Sequence, residues 1–213
     1  MGIAKNSFIA IMAVVIVGLG FQLIQPNISS AVTDTVLVNQ TVTAGINISA
    51  PADVTMTALT TGQNTAVGSA IWTVTTNNAA GYTLTVYASA APAMVRSGGG
   101  GNIVDYTPAV AETPETWSVS SAAEFGFSAR GTDVPTGTWG TDADCIAGAD
   151  VPSAALKWRD FDLSGSADQI ATAAAQTSTS GTASTMCVAT EQAGIFAASG
   201  SYTATITATA LVI

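Results

Sequence analysis

The sequence predicts an all-β protein: a single β-sandwich or jelly roll of short antiparallel strands with long loops, preceded by an N-terminal hydrophobic helix. In several segments, such as IWTVTTNNAAGYTLTVYAS at residues 71–89, Thr and Ser alternate with apolar residues, which is typical of half-buried strands. Gly, Asn and Pro separate these segments at short intervals. Of the 213 residues, 48% are hydrophobic and only 9% are charged, so the chain has enough apolar side chains for one large core.

Residues 1–31 have the pattern of a secretory signal peptide. Lys5 precedes an apolar run over residues 8–24, and Pro26 would end a helix there. Small residues that suit a cleavage site follow: Ser29 and Ala31.

A second interpretation of this segment stays open. An apolar run of about 17 residues is just long enough to cross a bilayer, so residues 8–24 could remain as a membrane or filament helix. Under both interpretations residues 32–213 form one β-sandwich domain outside the cytoplasm. We therefore expect a secreted or cell-surface protein.

The first predicted strand covers residues 32–42, where apolar and polar residues alternate. Its apolar face carries four valines: Val32, Val36, Val38 and Val42. A further segment at 46–59 is interrupted by Pro51. Residues 71–89 follow, and their Asn, Ala and Gly residues at 77–81 predict a hairpin, because such residues tolerate positive φ.

Beyond the predicted hairpin, a glycine-rich stretch at 96–102 indicates a long exposed loop. The last strand is clear, since Tyr, Ala, Ile and Val alternate with Thr over residues 201–213. Residues 167–175 fit either a short helix or a strand. Shorter strands are predicted at four places: 117–119, 124–128, 155–161 and 185–189.

The charge balance excludes several function classes. The chain has a formal net charge of -9 and only five basic residues, so it lacks the basic surface that binding to nucleic acids requires. The absence of His removes the usual general base and metal ligand. A carboxylate pair from Glu112, Glu115 and Glu124 could act in glycoside hydrolysis, but their polar setting favours solvated side chains. We expect no enzymatic activity.

The two cysteines, Cys145 and Cys187, predict one disulfide. They are an isolated pair without metal-ligand spacing, and a disulfide fits an exported protein. Two buried free thiols are the alternative.

The string DFDLSGSAD resembles part of a calcium loop. Its oxygen ligands would be Asp160, Asp162, Ser164 and Asp168, with Gly165 at the sharp turn. Ala171 stands where a bidentate Glu would close the loop, so a polar turn is the competing interpretation. We expect no cofactor, with calcium as the one candidate.

The tryptophans divide into two groups. Trp72 and Trp158 lie within predicted strands, and we expect them in the core. Trp139 lies in the loop sequence PTGTWGTDAD, which makes it a candidate for stacking on a ligand such as a sugar ring.

Two segments carry a family resemblance: GYTLTV at 81–86 and GSYTATITATALVI at 200–213. Together they resemble the WxL-type domain of bacterial surface proteins and, more loosely, other exported β-sandwich surface and fibre subunits. The resemblance implies a cell-envelope protein, held in that family non-covalently on the wall.

Two function classes remain after these exclusions. The first is a structural subunit of a surface layer, coat or fibre, whose partner is itself and whose residues 32–43 are an exchangeable assembly strand. The second is a cell-wall or carbohydrate-binding adhesin module that uses the loops at 90–116 and 130–154.

Overall fold

Strands dominate the computed structural model, which describes residues 33–119 and 122–213. The prediction of an all-β protein is confirmed. In chain order the elements are β1 (Ile46–Ile48), β2 (Thr65–Thr76), β3 (Tyr82–Ala88), β4 (Val95–Arg96), β5 (Val104–Asp105), β6 (Ala123–Gly131), helix α1 (Thr136–Trp139), a 3₁₀ turn (Ser164–Ser166), β7 (Asp168–Ala173), β8 (Thr182–Gln192), β9 (Tyr202–Thr203) and β10 (Ile206–Val212). The predicted signal segment, residues 1–31, lies outside the described residues.

The strands of the described residues form three sheets. The largest has the order β1-β2-β8-β6-β5, the second has the order β10-β3-β7, and β4 pairs with β9. All pairings are antiparallel except that of β5 with β6. The strand predictions at 124–128, 185–189 and 201–213 are confirmed by β6, β8 and β9 with β10.

One hydrophobic core draws on both larger sheets. Alternation places apolar side chains on one face of each strand, and these faces supply the cluster: Trp72 and Val74 from β2, Leu84 and Val86 from β3, Phe125 and Phe127 from β6, Ile170 from β7, and Met186 and Val188 from β8. Phe127 and Phe161 stack with ring centroids 4.1 Å apart. Trp72 is in this core, as predicted.

The opposite face of the five-stranded sheet is buried as well. Cys187 and Ala189 of β8 belong to a second cluster with Tyr106, Leu156 and Trp158. β8 therefore lies between two cores. Its sequence TASTMCVATEQ is buried almost without interruption, as expected for a central strand covered on both faces.

The segment 71–89 changes sheets at its turn instead of forming the predicted hairpin. β2 pairs with β1 and β8, whereas β3 pairs with β10 and β7. The hairpin prediction is wrong because the residues at 77–81 that permit a tight hairpin also permit an arch between two sheets. Trp72 and Leu84 belong to the same core cluster, so the apolar pattern serves packing between sheets.

Three further predictions are settled by the hydrogen-bond pattern. Residues 167–175 contain β7 and are a strand. Residues 155–161 make only isolated bridges, such as those of Leu156 with Gly140 and of Trp158 with Glu115. Residues 117–119 have no strand assignment. Both of these strand predictions are wrong, because aromatic side chains here cover the outer face of a sheet from loops.

Residues 33–42, which we call the N-terminal arm, belong to a different unit from the body, Thr43–Ile213. The arm forms no strand, so the prediction of an ordinary first strand is wrong. An extended segment becomes a β-strand only when its backbone N–H and C=O groups are hydrogen-bonded to a neighbouring strand. Three of the predicted assembly valines are 88%, 83% and 75% exposed, namely Val36, Val38 and Val42; Val32 lies outside the described residues.

Candidate functional site

The arm presents its polar backbone and its valines to solvent together. Its hydrogen bonds are local: the backbone N–H of Thr35 donates to Asp34 Oδ1 at 2.8 Å, and Gln40 Nε2 donates to the carbonyl of Thr41. Burying each exposed valine would contribute on the order of 1.5–3 kcal/mol. The arm thus combines backbone groups that have no strand partner with exposed apolar side chains, among them Val36 and Val38 on one face.

The turn between β2 and β3 holds both ends of the body. Asn77 Oδ1 accepts from the backbone N–H of Gly45 at 2.6 Å, and Asn77 Nδ2 donates to the carbonyl of Thr43 at 2.8 Å. Asn78 Nδ2 donates to the carbonyl of Ile213 at 3.0 Å. A side-chain amide can both donate and accept a hydrogen bond, and Asn77 does both here: its oxygen accepts from Gly45 and its nitrogen donates to Thr43. The sequence pattern at 77–81 indicates only turn formation for both residues, so their bonds to distant backbone groups could not be predicted from it.

The predicted calcium loop is organised by a buried arginine. Arg159 lies 2.5 Å from Glu112, 3.0 Å from Asp162 and 2.6 Å from Asp168, and its Nε lies 3.6 Å from Asp160. The guanidinium therefore contacts three of the predicted calcium ligands, Asp160, Asp162 and Asp168.

The ligand set also differs from the predicted one. Glu112, Asp160 and Asp162 offer oxygens within 4.8 Å of one another, whereas Ser164 lies exposed on the 3₁₀ turn. Arg159 already bonds Glu112 and Asp162, so a calcium ion at these oxygens would compete with the guanidinium for the same carboxylates. Arg159 is one of only five basic residues and directly precedes Asp160, a signal that could have revealed the pairing.

Burial is the largest influence on the pKa of two carboxyl groups in this cluster, those of Asp168 and Asp162. It raises the pKa of Asp168 to about 7, even though the adjacent Arg159 guanidinium favours the ionised carboxylate. Burial also raises the pKa of Asp162. Desolvation disfavours the charged form of a carboxyl group, so the protonated form of Asp168 is accessible near neutral pH.

The predicted disulfide is confirmed. Cys145 and Cys187 are bonded across a sequence separation of 42, with their Cα atoms 5.5 Å apart. Cys187 is fully buried in β8. The bond therefore fastens the 139–158 loop region to the outer face of the five-stranded sheet.

Trp139 is not available to a ligand, which corrects the prediction from its loop sequence. Pro135 and Gly140 flank the single turn of α1, and this turn places the indole in the core with only 2% of its surface exposed. Its ring centroid lies 5.0 Å from that of Phe127, and its Nε1 donates to the carbonyl of Gln169.

The other candidate carboxylates are engaged in structural hydrogen bonds. Glu115 accepts from the Tyr106 hydroxyl at 3.0 Å, and Glu124 accepts from the backbone N–H of Thr107 at 3.2 Å. Together with Glu112 on Arg159, these contacts fasten the loop that follows β5 to the body.

A shallow surface groove of about 720 Å³ lies beside α1. Residues 132–136 and 172–177 line it together with Thr182, and five of these lining residues are threonines. None of these lining residues is aromatic, so the groove offers hydrogen bonds without a stacking platform.

Comparisons with known proteins leave the function to be argued from these features. The described residues contain no helix that is long and apolar enough to span a membrane. No family model, no curated protein and no solved structure matches this chain.

Proposed function

We propose that the chain is an exported, non-catalytic structural subunit of a cell surface, of the surface-layer, coat or fibre type, and that its copies assemble by strand addition. The arm of one copy adds to a sheet of the next. Backbone hydrogen bonds then give affinity, and alternate side chains give register. The observation that carries the proposal is the exposure of Val36, Val38 and Val42 in a segment distinct from the body.

The body suits such a subunit. We propose that its two larger sheets pack face to face as a β-sandwich, because their apolar faces contribute to one core cluster. The disulfide supports an oxidising compartment, in agreement with export directed by residues 1–31. A core and a disulfide within Thr43–Ile213 support a body that folds before the arm is used.

A matched pair of substitutions in the full exported chain tests the proposal. Val38→Asp puts a charge on the valine face of the arm, whereas Asn39→Asp puts the same charge on the opposite face. We expect concentration-dependent filaments or oligomers from the parent chain and from Asn39→Asp, seen by electron microscopy and sedimentation. Val38→Asp should remain monomeric, and assembly by this variant at the parental concentration would refute strand donation by the arm.

The hydroxyl-lined groove favours a second candidate, the carbohydrate-binding adhesin module. Its lining threonines and Asp133 could bond sugar hydroxyls. Retention on a glycan or peptidoglycan column without any assembly would support this alternative over the structural subunit.

A further inference from the structure

We infer that the acceptor for the arm is the free edge of β10 on a second copy of this chain, an inference that rests on the proposed function. Four outward backbone positions of β10 would receive the incoming strand. The half-buried apolar face beside them would be covered by the valines of the arm.

The hydrogen bonds of β10 alternate between its two sides. The N–H of Ser89 donates to the carbonyl of Thr205, and the N–H of Ile213 donates to the carbonyl of Gly81, so odd-numbered residues face β3 in the antiparallel register. Even-numbered residues direct their N–H and C=O groups away from β3. Among the described residues, none pairs with these groups: Ile206, Ala208, Ala210 and Val212.

The other sheet edges are short or occupied. β1 and β5 have three and two residues. On β7, the outward N–H of Thr172 already donates to the carbonyl of Asp133 at 2.9 Å. The edge of β2 is open near Ser69, but Val54 and Met56 pack over the neighbouring Gly68 on the inner face. β1 lies near β10 but pairs only with β2, so in the described part of the chain β10 remains a seven-residue edge whose outward backbone groups have no strand partner.

The side chains of β10 leave room for the arm. Ile206, Ala208 and Ala210 are only partly buried against the core, and Val212 is 48% exposed. The two alanines are small, and Val36 and Val38 of the arm have the same two-residue spacing. β10 carries no charge and the arm carries only Asp34, so this contact avoids the repulsion expected between copies of a chain with a net charge of -9.

Proline at an outward position should block this edge selectively. Ala208→Pro removes an outward N–H and leaves the ladder to β3 intact, since edge strands tolerate proline there. Ser69→Pro makes the matching change at the open part of the β2 edge. Both substitutions are placed in the full chain carrying Val38→Asp, and a labelled peptide of residues 32–43, VTDTVLVNQTVT, is the probe.

The peptide should bind the Val38→Asp chain and its Ser69→Pro derivative equally, and the Ala208→Pro derivative at least tenfold more weakly. Equal binding to both proline variants, or no binding to the Val38→Asp chain, would overturn β10 as acceptor. If β10 is not the acceptor but the arm is donated, Val38→Asp still prevents assembly. Failure of the β10 assignment can therefore be distinguished from failure of the proposed strand donation.

A second measurement uses no proline variant, so its result does not depend on whether those variants fold. NMR of the Val38→Asp chain should show slower amide exchange at Ile206, Ala208, Ala210 and Val212 when the peptide is added. Unchanged exchange at these four amides in a saturated complex would exclude the β10 edge.

Discussion

At the scale of single residues, Arg159 explains why the aspartates of the predicted calcium loop lie close together. The sequence placed Asp160, Asp162 and Asp168 near one another, and the structure joins all three to one guanidinium. The calcium interpretation considered oxygen ligands alone. The guanidinium of Arg159, the residue before Asp160, contacts the same carboxylates. The spacing of the aspartates alone cannot distinguish calcium binding from pairing with an arginine.

The raised pKa of Asp168 predicts that stability falls as pH rises. Its folded pKa of about 7 exceeds the unfolded value near 3.9, so the folded state binds more protons between these limits. The free energy of unfolding should decrease as the pH rises from about 4 to about 7, because the folded state holds the proton that the unfolded state has released. Burial also raises the pKa of Asp105 and of Glu124, which adds to the same sign.

Urea unfolding of the parent, Asp168→Asn and the exposed control Asp53→Asn at several pH values checks this. Asp168→Asn should flatten the dependence, and Asp53→Asn should preserve it. A parent that becomes more stable from pH 4 to pH 7 would contradict the assignment.

At the scale of elements, alternation predicted those strands whose two faces differ. β3 and β10 alternate apolar residues with threonine, and both were identified. The partner of each strand was harder to predict, because turn residues at 77–81 suit a hairpin and an arch equally. Residues 155–161 have strand-like composition, but Trp158 acts as a cover for a second core. Trp139 was misplaced because a single helical turn has no periodicity to detect.

Deletion of residues 33–42 tests the independence of the body. Thr43 is retained because its carbonyl accepts from Asn77. We expect a folded, disulfide-bonded monomer with a melting temperature close to that of the unassembled parent, since the deleted valines are exposed. Calorimetry gives the melting temperature. Global unfolding upon deletion would show that the arm is an internal strand.

At the scale of the whole molecule, the disulfide fastens loops to a sheet that already has a core on its other face. Closing a loop of 42 residues stabilises a fold by about 4 kcal/mol in the chain-entropy model. Cys145→Ala combined with Cys187→Ala should lower the free energy of unfolding by about this amount, and reduction of the parent should have the same effect. Two alkylated thiols in mass spectra of the non-reduced exported protein would disprove the bond.

The strand order also constrains when the chain can fold during synthesis. β8 lies between β2 and β6, although both of these strands leave the ribosome before it. β3 likewise waits for β7 on one side and for β10 on the other. An emerging chain therefore cannot complete either sheet from its N-terminal half, and non-local pairing of this kind is slow. The topology therefore delays the five-stranded sheet until β8 has been made and the second sheet until β10 has been made, and a chain whose sheets are incomplete can still be threaded through a narrow translocation channel.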